Sequence, residues 1–446
     1  MSISIIGAVI IGIIVLLLLL LKMKIPAFIS LLIASIITGL LAGLNGEEII
    51  KTIQNGMGGT LGFVATVVGL GAIFGGILEK TNSANIIAQK LLGITGEKKA
   101  PIAMMITGFF VAIPVFFDVG FIILFPIIHA LHKKTGKSIT QYAVPLLAGL
   151  AVTHACIPPT PGPIAVAEII GASLAWVIVL GVVIGLPMAY VGGILYGKYI
   201  GNKIDIQLAD DTSSDIASTN FKHSFAKIIW IILLPIILIV IGTVIKEGYL
   251  SLGTDFINQL IILIGHPFTA LIIANLLAWY LLGKYNGLTS KQLGQISSKS
   301  LYPAGIIILV TGAGGVYKQT LVDTGAGELL ATQLQSWGLG IVLFAFLAAL
   351  LVRVLQGSAT VAMITAAGLV APLLSSYNLT GGQLACLVIA ISSGATMMSH
   401  LNDSGFWLVK EYLMLTEKQG FKIWTAASSI IGLVGGILSC LAFYLL

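Results

Sequence analysis

The chain alternates between long apolar runs and short polar segments. An α-helix needs about 20 mostly apolar residues to cross a bilayer, and most of the runs reach or exceed that length. The pattern therefore predicts an all-α polytopic membrane protein with about ten transmembrane helices and a few shorter membrane segments. In chain order the runs cover residues 3–21, 26–44, 57–78, 100–131, 140–197, 225–245, 256–282, 300–320, 338–375, 382–409 and 421–446.

The composition agrees with this pattern. Hydrophobic residues make up 57% of the chain and charged residues 9%, whereas soluble domains carry roughly 25% charged residues. Lysines account for the net charge of +6 but are spread over many short loops, which indicates membrane orientation and not a nucleic-acid surface. The three cysteines Cys156, Cys386 and Cys440 lack CxxC spacing, so we predict no disulfide framework, metal site or cofactor.

Residues 100–131 predict a re-entrant segment, called the first hairpin. Pro114 and Asp118 interrupt this run near its middle, and it is too short for two full crossings. Basic residues flank the run on both sides: Lys98 and Lys99 before it, and Lys133, Lys134 and Lys137 after it. Because basic loops favour the cytoplasm, both flanks belong on that side, and both chain termini then lie outside. Irregular backbone near residues 114–118 must be buried in protein or line a cavity.

The two halves of the chain can be superposed at an offset of 243 residues. Residues 113–118 then fall on 356–361, and residues 159–162 fall on 402–405, so the irregular places coincide. Identical residues at this offset include Gly71 and Gly314, Thr81 and Thr324, Leu91 and Leu334, Val111 and Val354, and Gly162 and Gly405. The predicted topology gives the two copies opposite directions. Inverted repeats with broken helices at matching positions are typical of secondary transporters whose substrate site lies near the bilayer midplane.

The repeat predicts how the chain is divided. The predicted segments are N-terminal scaffold helices at 1–56, a first repeat at 57–201, a cytoplasmic linker at 202–224, further scaffold helices at 225–299, and a second inverted repeat at 300–446. The first repeat contains the first hairpin and a first broken helix (140–170). The second repeat contains a second hairpin (338–375) and a second broken helix (382–409). Four aspartates make the linker polar.

Clustered prolines in His154–Pro163 identify the break in the first broken helix. They must end one helix near Ile157, and the next helix can start at Pro163, where a missing N–H is harmless. The N-terminus of that helix carries unpaired N–H groups and a partial positive charge, which suits an anionic substrate. His154, Thr160 and Gly162 are therefore candidate substrate ligands. The alternatives are a plain proline kink and a His154 side chain that bonds only the broken backbone.

The second broken helix carries polar residues at its break. Asn402, Asp403 and Ser404 all favour the N-cap of a helix, so capping alone is one interpretation. A carboxylate between two apolar runs, however, costs about 2.5–3.5 kcal/mol on insertion scales and indicates function. We therefore predict all three as substrate ligands and Asp403 also as a proton carrier.

The hairpins supply the remaining candidates. Asp118 has no neighbouring base in the sequence, which makes it a candidate substrate ligand and proton carrier, or alternatively a hydrogen-bonded residue of the hairpin tip. Ser358 and Thr360 offer hydroxyl groups at the other tip. Arg353 is the only arginine in the chain, and it can clamp a substrate carboxylate or form a structural ion pair.

Three segments carry a resemblance to a known family. Ile113–Ile128, His154–Pro163 and Ser399–Trp407 resemble the GntP family of gluconate and related organic-acid permeases, within the ion-transporter superfamily, and the resemblance covers nearly the whole chain. It implies proton-coupled uptake of a sugar acid such as gluconate across a bacterial plasma membrane. It also implies a hairpin core that moves against a scaffold, commonly in a homodimer. The family includes permeases for D-serine and other hydroxy acids, which are alternative substrates here.

Two other classes of function compete with transport. An intramembrane enzyme would also bury carboxylates and histidines, but Asp118 and Asp403 do not occupy equivalent repeat positions, and the sequence has no HExxH or nucleophile motif. A passive channel does not require two hairpins related by repeat symmetry. The presence of two such hairpins therefore favours a transporter that works by alternating access. The predicted partners are a small anionic organic acid, a proton and the lipid membrane, with no nucleic acid.

Overall fold

The computed structural model describes residues 4–204, 206, 224–246, 248, 250, 253–326, 329, 340–401 and 403–446. The regular structure within these ranges is helical throughout. The helices before the predicted linker are α1 (Ile5–Leu21), α2 (Ala27–Leu41), α3 (Gly46–Lys80), α4 (Ser83–Thr95), α5 (Ala100–Val111), α6 (Phe117–Thr135), α7 (Thr140–Cys156), α8 (Pro161–Ile170), α9 (Leu174–Ala189) and α10 (Tyr196–Lys203). A π-helical turn at Tyr190–Leu195 joins α9 to α10.

The second half contains ten helices among the described residues. Its helices are α11 (Phe225–Lys246), α12 (Asp255–Gly265), α13 (Pro267–Leu277), α14 (Ser290–Asp323), α15 (Ile341–Gln356), α16 (Ala359–Val370), α17 (Gly381–Thr396), α18 (Ser404–Tyr412), α19 (Glu417–Gly420) and α20 (Ala426–Leu445). A π-helical turn at Phe421–Thr425 precedes α20. Of the predicted linker, residue 205 and residues 207–223 lie outside the described residues, and α10 continues to Lys203.

The prediction of an all-α polytopic protein is confirmed, with fewer long spans than the apolar runs indicated. Within the described ranges, eight helical segments are long and apolar enough to cross a membrane, against about ten expected. Other apolar runs fold as helices of 10–17 residues. Two of these, α5 and α15, are the first arms of the two hairpins.

Two long antiparallel helices join the halves of the molecule. A Cβ atom at Gly56, near the start of α3, would lie 2.6 Å from Val316 Cα, near the end of α14. At the other end of α3, a Cβ atom at Gly76 would lie 1.8 Å from Ser300 Oγ. These glycines let the two backbones approach closely, as small residues do in membrane helix pairs. Because α3 and α14 correspond at the 243-residue offset and run in opposite directions, the repeats are inverted.

The first hairpin returns to the side on which it starts. Helix α5 ends at Val111 and α6 begins at Phe117, with residues 112–116 as the irregular tip. At the base, Lys134 Nζ lies 2.7 Å from Glu97 Oε1, which places both flanks on one side of the molecule. The tip lies two residues earlier than the predicted 114–118, because Asp118 already belongs to the first turn of α6.

The first broken helix is interrupted between Cys156 and Pro161. Its second part begins at Pro161, so the predicted start at Pro163 is wrong by two residues. Thr160 has an extended backbone and precedes Pro161, whose missing N–H is tolerated at a first helical position. In the second broken helix, α17 ends at Thr396 and α18 begins after Asp403, and residues 397–401 have an irregular conformation.

The second hairpin reverses at a glycine. Helix α15 ends at Gln356, and Gly357 has a φ of +90°, a left-handed conformation that favours glycine. Each hairpin then packs closely on its broken helix through a glycine. A Cβ atom at Gly149 would lie 2.2 Å from the Met105 carbonyl oxygen, and one at Gly394 would lie 2.2 Å from the Phe346 carbonyl oxygen. The two halves therefore use the same packing to hold hairpin against helix.

Candidate functional site

A cavity of about 440 Å³ lies where the irregular segments of the two halves meet. This volume is within the range of about 300–1,000 Å³ that is usual for small-molecule sites. Its lining comes from both hairpin tips, both broken helices, α14 and the π-helical turn before α20. The lining residues are Phe116, Phe117, Asp118, Ala151, His154, Ala155, Ile307, Arg353, Gln356, Gly357, Ser358, Ala359, Thr360, Thr396, Asp403, Ser404, Gly405 and Trp424.

Arg353 and Asp403 form an ion pair in this cavity. One guanidinium nitrogen of Arg353 donates to Asp403 Oδ2, and another donates to the Gly357 carbonyl oxygen. The two side chains are only 5% and 13% exposed. A pair this deeply buried is stable only when further hydrogen bonds satisfy its remaining polar atoms. Arg353 thus holds the tip of the second hairpin and the break of the second broken helix together.

Two further donors contact the Asp403 carboxylate. The Ser399 hydroxyl donates to Oδ2, and the Gly405 N–H donates to Oδ1 at 3.1 Å. Trp424 Nε1–H in turn donates to Ser399 Oγ at 2.8 Å. Asp403 therefore caps α18, as its residue type predicted, and also accepts from Arg353 and Ser399. Sequence reasoning missed Ser399 and Trp424, since nothing near Trp424 in the sequence indicates where its indole points.

Asp118 is placed differently from Asp403. Its side chain is exposed to the cavity from the first turn of α6, and no ion pair of Asp118 is present within the described ranges. The charge of Asp403 lies near enough to repel it. The neighbouring Phe117 ring stacks on Trp424 with 5.5 Å between ring centroids, which fixes the first hairpin against the second half.

Three helices begin at the wall of the cavity. Helix α6 starts at Phe117, α16 starts after Ser358, and α18 starts after Asp403. The Ser358 hydroxyl accepts the Val361 N–H at 3.4 Å, and Asp403 Oδ1 accepts the Gly405 N–H. Helix N-termini carry partial positive charge and bind anions. The cavity can therefore receive an anionic group although it contains two carboxylates.

Comparison with known proteins identifies the family. A sequence profile described as GntP family permease matches residues 3–445. The chain belongs to the GntP permease family.

The low-affinity gluconate transporter of Escherichia coli is 38% identical over 427 residues, which cover 95% of this chain and 94% of that protein. A gluconate permease of Pseudomonas aeruginosa is 35% identical, with 92% and 91% covered. The Gnt-II system L-idonate transporter of Escherichia coli is 34% identical, with 92% and 93% covered.

Solved structures resemble this GntP permease in fold. The YdaH transporter of Alcanivorax borkumensis superposes with a TM-score of 0.63 at 14% identity, and 89% of each chain is covered. MtrF of Neisseria gonorrhoeae, from a class of antimetabolite efflux pumps, superposes with a TM-score of 0.66 at 15% identity, and 93% and 94% of the chains are covered. Both neighbours have the same arrangement of helices, and the GntP permease is a multi-pass membrane protein.

Two predicted ligands of the GntP permease do not line the cavity. The Thr160 hydroxyl donates to the Ile157 carbonyl oxygen at 2.6 Å, and Thr160 lines only a small neighbouring cavity beside Pro114. A Cβ atom at Gly162 would lie 3.0 Å from Met363 Sδ, so this glycine permits packing of α8 against α16. Both residues therefore contact protein at the N-terminus of α8, and their role as substrate ligands stays a prediction. Asn402 lies outside the described residues.

The two intramembrane histidines have different surroundings. His400 Nε2 lies 3.0 Å from the Val354 carbonyl oxygen and stabilises the end of α15. His154 lines both the cavity and the small neighbouring one, and its Nδ1 has no hydrogen-bond partner among the described residues. Of the other predicted ligands, Ser358, Thr360 and Ser404 all line the cavity. The part of the chain described here contains no group of three or more His, Cys, Asp or Glu residues arranged to hold a metal ion.

Proposed function

We propose that this GntP permease is a secondary active transporter that takes up gluconate or a related sugar acid together with a proton. The names of its relatives support the substrate class, since they include gluconate and L-idonate transporters. The arrangement of charges supports the coupling. The observation that carries the proposal is an unpaired carboxylate, Asp118, in the same cavity as the Arg353–Asp403 pair.

The charges of the cavity give a reason for proton coupling. Two carboxylates and one guanidinium group leave a net charge of −1 when all are ionised. An anionic substrate would add a second negative charge to the same cavity. A proton on Asp118 removes the charge that repels the substrate, so proton and substrate each increase the affinity for the other. Such coupling is reciprocal by thermodynamic linkage.

We assign the two acidic residues different roles. Asp403 is held by Arg353, Ser399 and the N-terminus of α18, so its role is to position Arg353 and shape the site. Asp118 has no such partners and carries the proton. The sequence analysis predicted that both Asp118 and Asp403 carry a proton, whereas this proposal assigns the proton to Asp118 alone.

The first hairpin is a suitable gate for alternating access. Its tip residue Phe116 lines the substrate cavity and also a second cavity of about 510 Å³. The second cavity lies between the end of α3 and the start of α14, beside Lys80 and Lys299. Movement of the tip would connect the two cavities and give a bound anion a path toward these lysines.

Uptake of labelled gluconate into proteoliposomes tests the proposal. We expect an inward proton gradient to drive accumulation above the external concentration. Equal uptake with and without the gradient would exclude proton coupling, and transport of D-serine without gluconate would exclude the substrate. Asp118→Asn should lose accumulation but retain exchange of external for internal gluconate. Asp255→Asn is the matched control, because Asp255 is exposed at the start of α12.

A further inference from the structure

A basic cavity of about 450 Å³ lies beside the base of the first hairpin. It is separate from the substrate cavity and shares no residue with it. Three lysines line it, and each comes from a different part of the fold: Lys99 precedes α5, Lys137 precedes α7, and Lys198 belongs to α10. The fold therefore brings together three ammonium groups that are far apart in the sequence.

Among the described residues, no carboxylate lines this basic cavity. The nearby Glu97 lies 2.7 Å from Lys134 and is paired there. None of the three lysines makes an ion pair with an acidic side chain in the part of the chain that the structure describes. Three like charges around one concavity repel one another, and an anion that enters the cavity would relieve this repulsion.

Residues around the basic cavity place it at the membrane–water interface. Helix α10 ends the apolar span Leu174–Lys203. Leu195 is 50% exposed and lies one helical turn before Lys198. The same face of the helix therefore changes from an apolar side chain to a charged one within one turn. Tyr199 is 53% exposed, and Lys203 Nζ lies 4.4 Å from the centroid of its ring. Tyrosines of this kind are enriched at the level of the lipid headgroups.

We propose that this cavity binds the phosphate headgroup of an anionic phospholipid. Basic pockets between transmembrane helices on the cytoplasmic side bind such headgroups. The three lysines would contact the phosphate, while the Gln141 and Asn202 amides, joined by a 3.0 Å hydrogen bond, would contact neighbouring oxygens. Ile194 gives the cavity an apolar wall along which an acyl chain can lie. The lipid would thus connect the base of the first hairpin to α10.

Lipid binding to the purified full-length protein tests this proposal independently of transport. Delipidated protein in detergent is titrated with phosphatidylglycerol or phosphatidylcholine, and bound lipid is counted by native mass spectrometry. We expect preference for phosphatidylglycerol. Each basic residue near an anionic headgroup contributes about 1 kcal/mol, so Lys198→Gln should weaken phosphatidylglycerol binding about fivefold. Lys198→Arg should retain the affinity of the unmodified protein.

Lys90→Gln provides the matched control, because Lys90 is exposed on α4 and does not line the basic cavity. This variant should bind phosphatidylglycerol like the unmodified protein. Equal affinity for the two lipids, or an unchanged affinity in Lys198→Gln, would overturn the proposal. Inorganic phosphate is then added as a competitor. Displacement of phosphatidylglycerol by phosphate at equal concentration would indicate a site for small anions and would also overturn the assignment to lipid.

Discussion

The Arg353–Asp403 pair connects two segments that are irregular for different reasons. Gly357 ends α15 in a left-handed conformation, whereas the break before α18 is capped by Asp403 itself. Because both charges are almost fully buried, each depends on the other for compensation. The pair therefore stabilises the site and also determines its shape.

Removal of either partner should strongly destabilise the protein. Arg353→Gln or Asp403→Asn alone would leave an uncompensated buried charge, with an expected loss of about 3–5 kcal/mol. The double variant should lose clearly less than the sum of the single losses. Unfolding of the purified protein in detergent measures these energies. The exposed pair Glu47 and Lys51 is the control, since its removal should change stability by no more than about 1 kcal/mol. Additive losses at Arg353 and Asp403 would contradict the prediction.

The sequence predicted several polar residues that line the site, but it did not predict which groups these residues contact. Asp118, Arg353 and Asp403 could be identified because polar groups in apolar runs are expensive and rarely accidental. Thr160 could be assigned to a break, but the direction of its hydroxyl depends on the free Ile157 carbonyl group, which only the fold defines. Trp424 reaches Ser399 from another helix, and no local pattern predicts such a contact.

At the scale of elements, the tip of the first hairpin rests on a glycine of α3. A Cβ atom at Gly75 would lie 1.8 Å from the Pro114 carbonyl oxygen, so Gly75→Ala must displace the tip. We expect a loss of about 1–3 kcal/mol in stability and a clearly slower gluconate uptake. Gly62→Ala is the control on the same helix, because a Cβ atom there meets nothing within 4 Å. Equal uptake by the two variants would exclude the tip contact as important for transport.

The base of the first hairpin allows a direct test of its re-entrant path. A water-soluble carbodiimide joins an amine to a carboxylate only when the two groups touch. The 2.7 Å distance between Lys134 Nζ and Glu97 Oε1 predicts an amide cross-link between them in membranes. Mass spectrometry of the digested protein should detect the linked peptides, and Lys134→Gln should abolish them. Reaction of these two residues with impermeant reagents from opposite membrane faces would contradict the hairpin.

The tip of the first hairpin and the break of the first broken helix followed from proline and charge to within about two residues, whereas α3 and α14 begin well before the apolar runs 57–78 and 300–320. Pro161 and the basic flanks of the first hairpin were sufficient to locate the breaks, because these residue types restrict the backbone or its side of the membrane. The number of full spans was harder to predict. An apolar run alone does not reveal whether its helix crosses the whole bilayer or ends earlier. Helix α15, for example, ends at Gln356, and the chain turns at Gly357.

At the scale of the whole molecule, the inverted repeat explains why the site lies between the halves. Each repeat contributes one hairpin tip and one broken helix, and the antiparallel pair of α3 and α14 sets these contributions face to face. The 243-residue offset predicted this arrangement from a few coinciding irregularities. It could not predict the asymmetry inside the cavity, where one repeat contributes an unpaired carboxylate and the other an ion pair. The proposed proton coupling depends on this difference, because a site with every charge paired would bind no additional proton.

The number of unpaired carboxylates in the cavity predicts the charge that is moved in each transport cycle. Asp118 is the single carboxylate that lines the described cavity without an ion-pair partner, so one proton should accompany one monovalent sugar acid. The transported pair is then electrically neutral. A potassium diffusion potential at equal pH on both sides should drive no accumulation of gluconate in proteoliposomes, whereas a pH gradient at zero potential should drive it. Accumulation driven by the potential alone would require a second cation per cycle and therefore another titrating group.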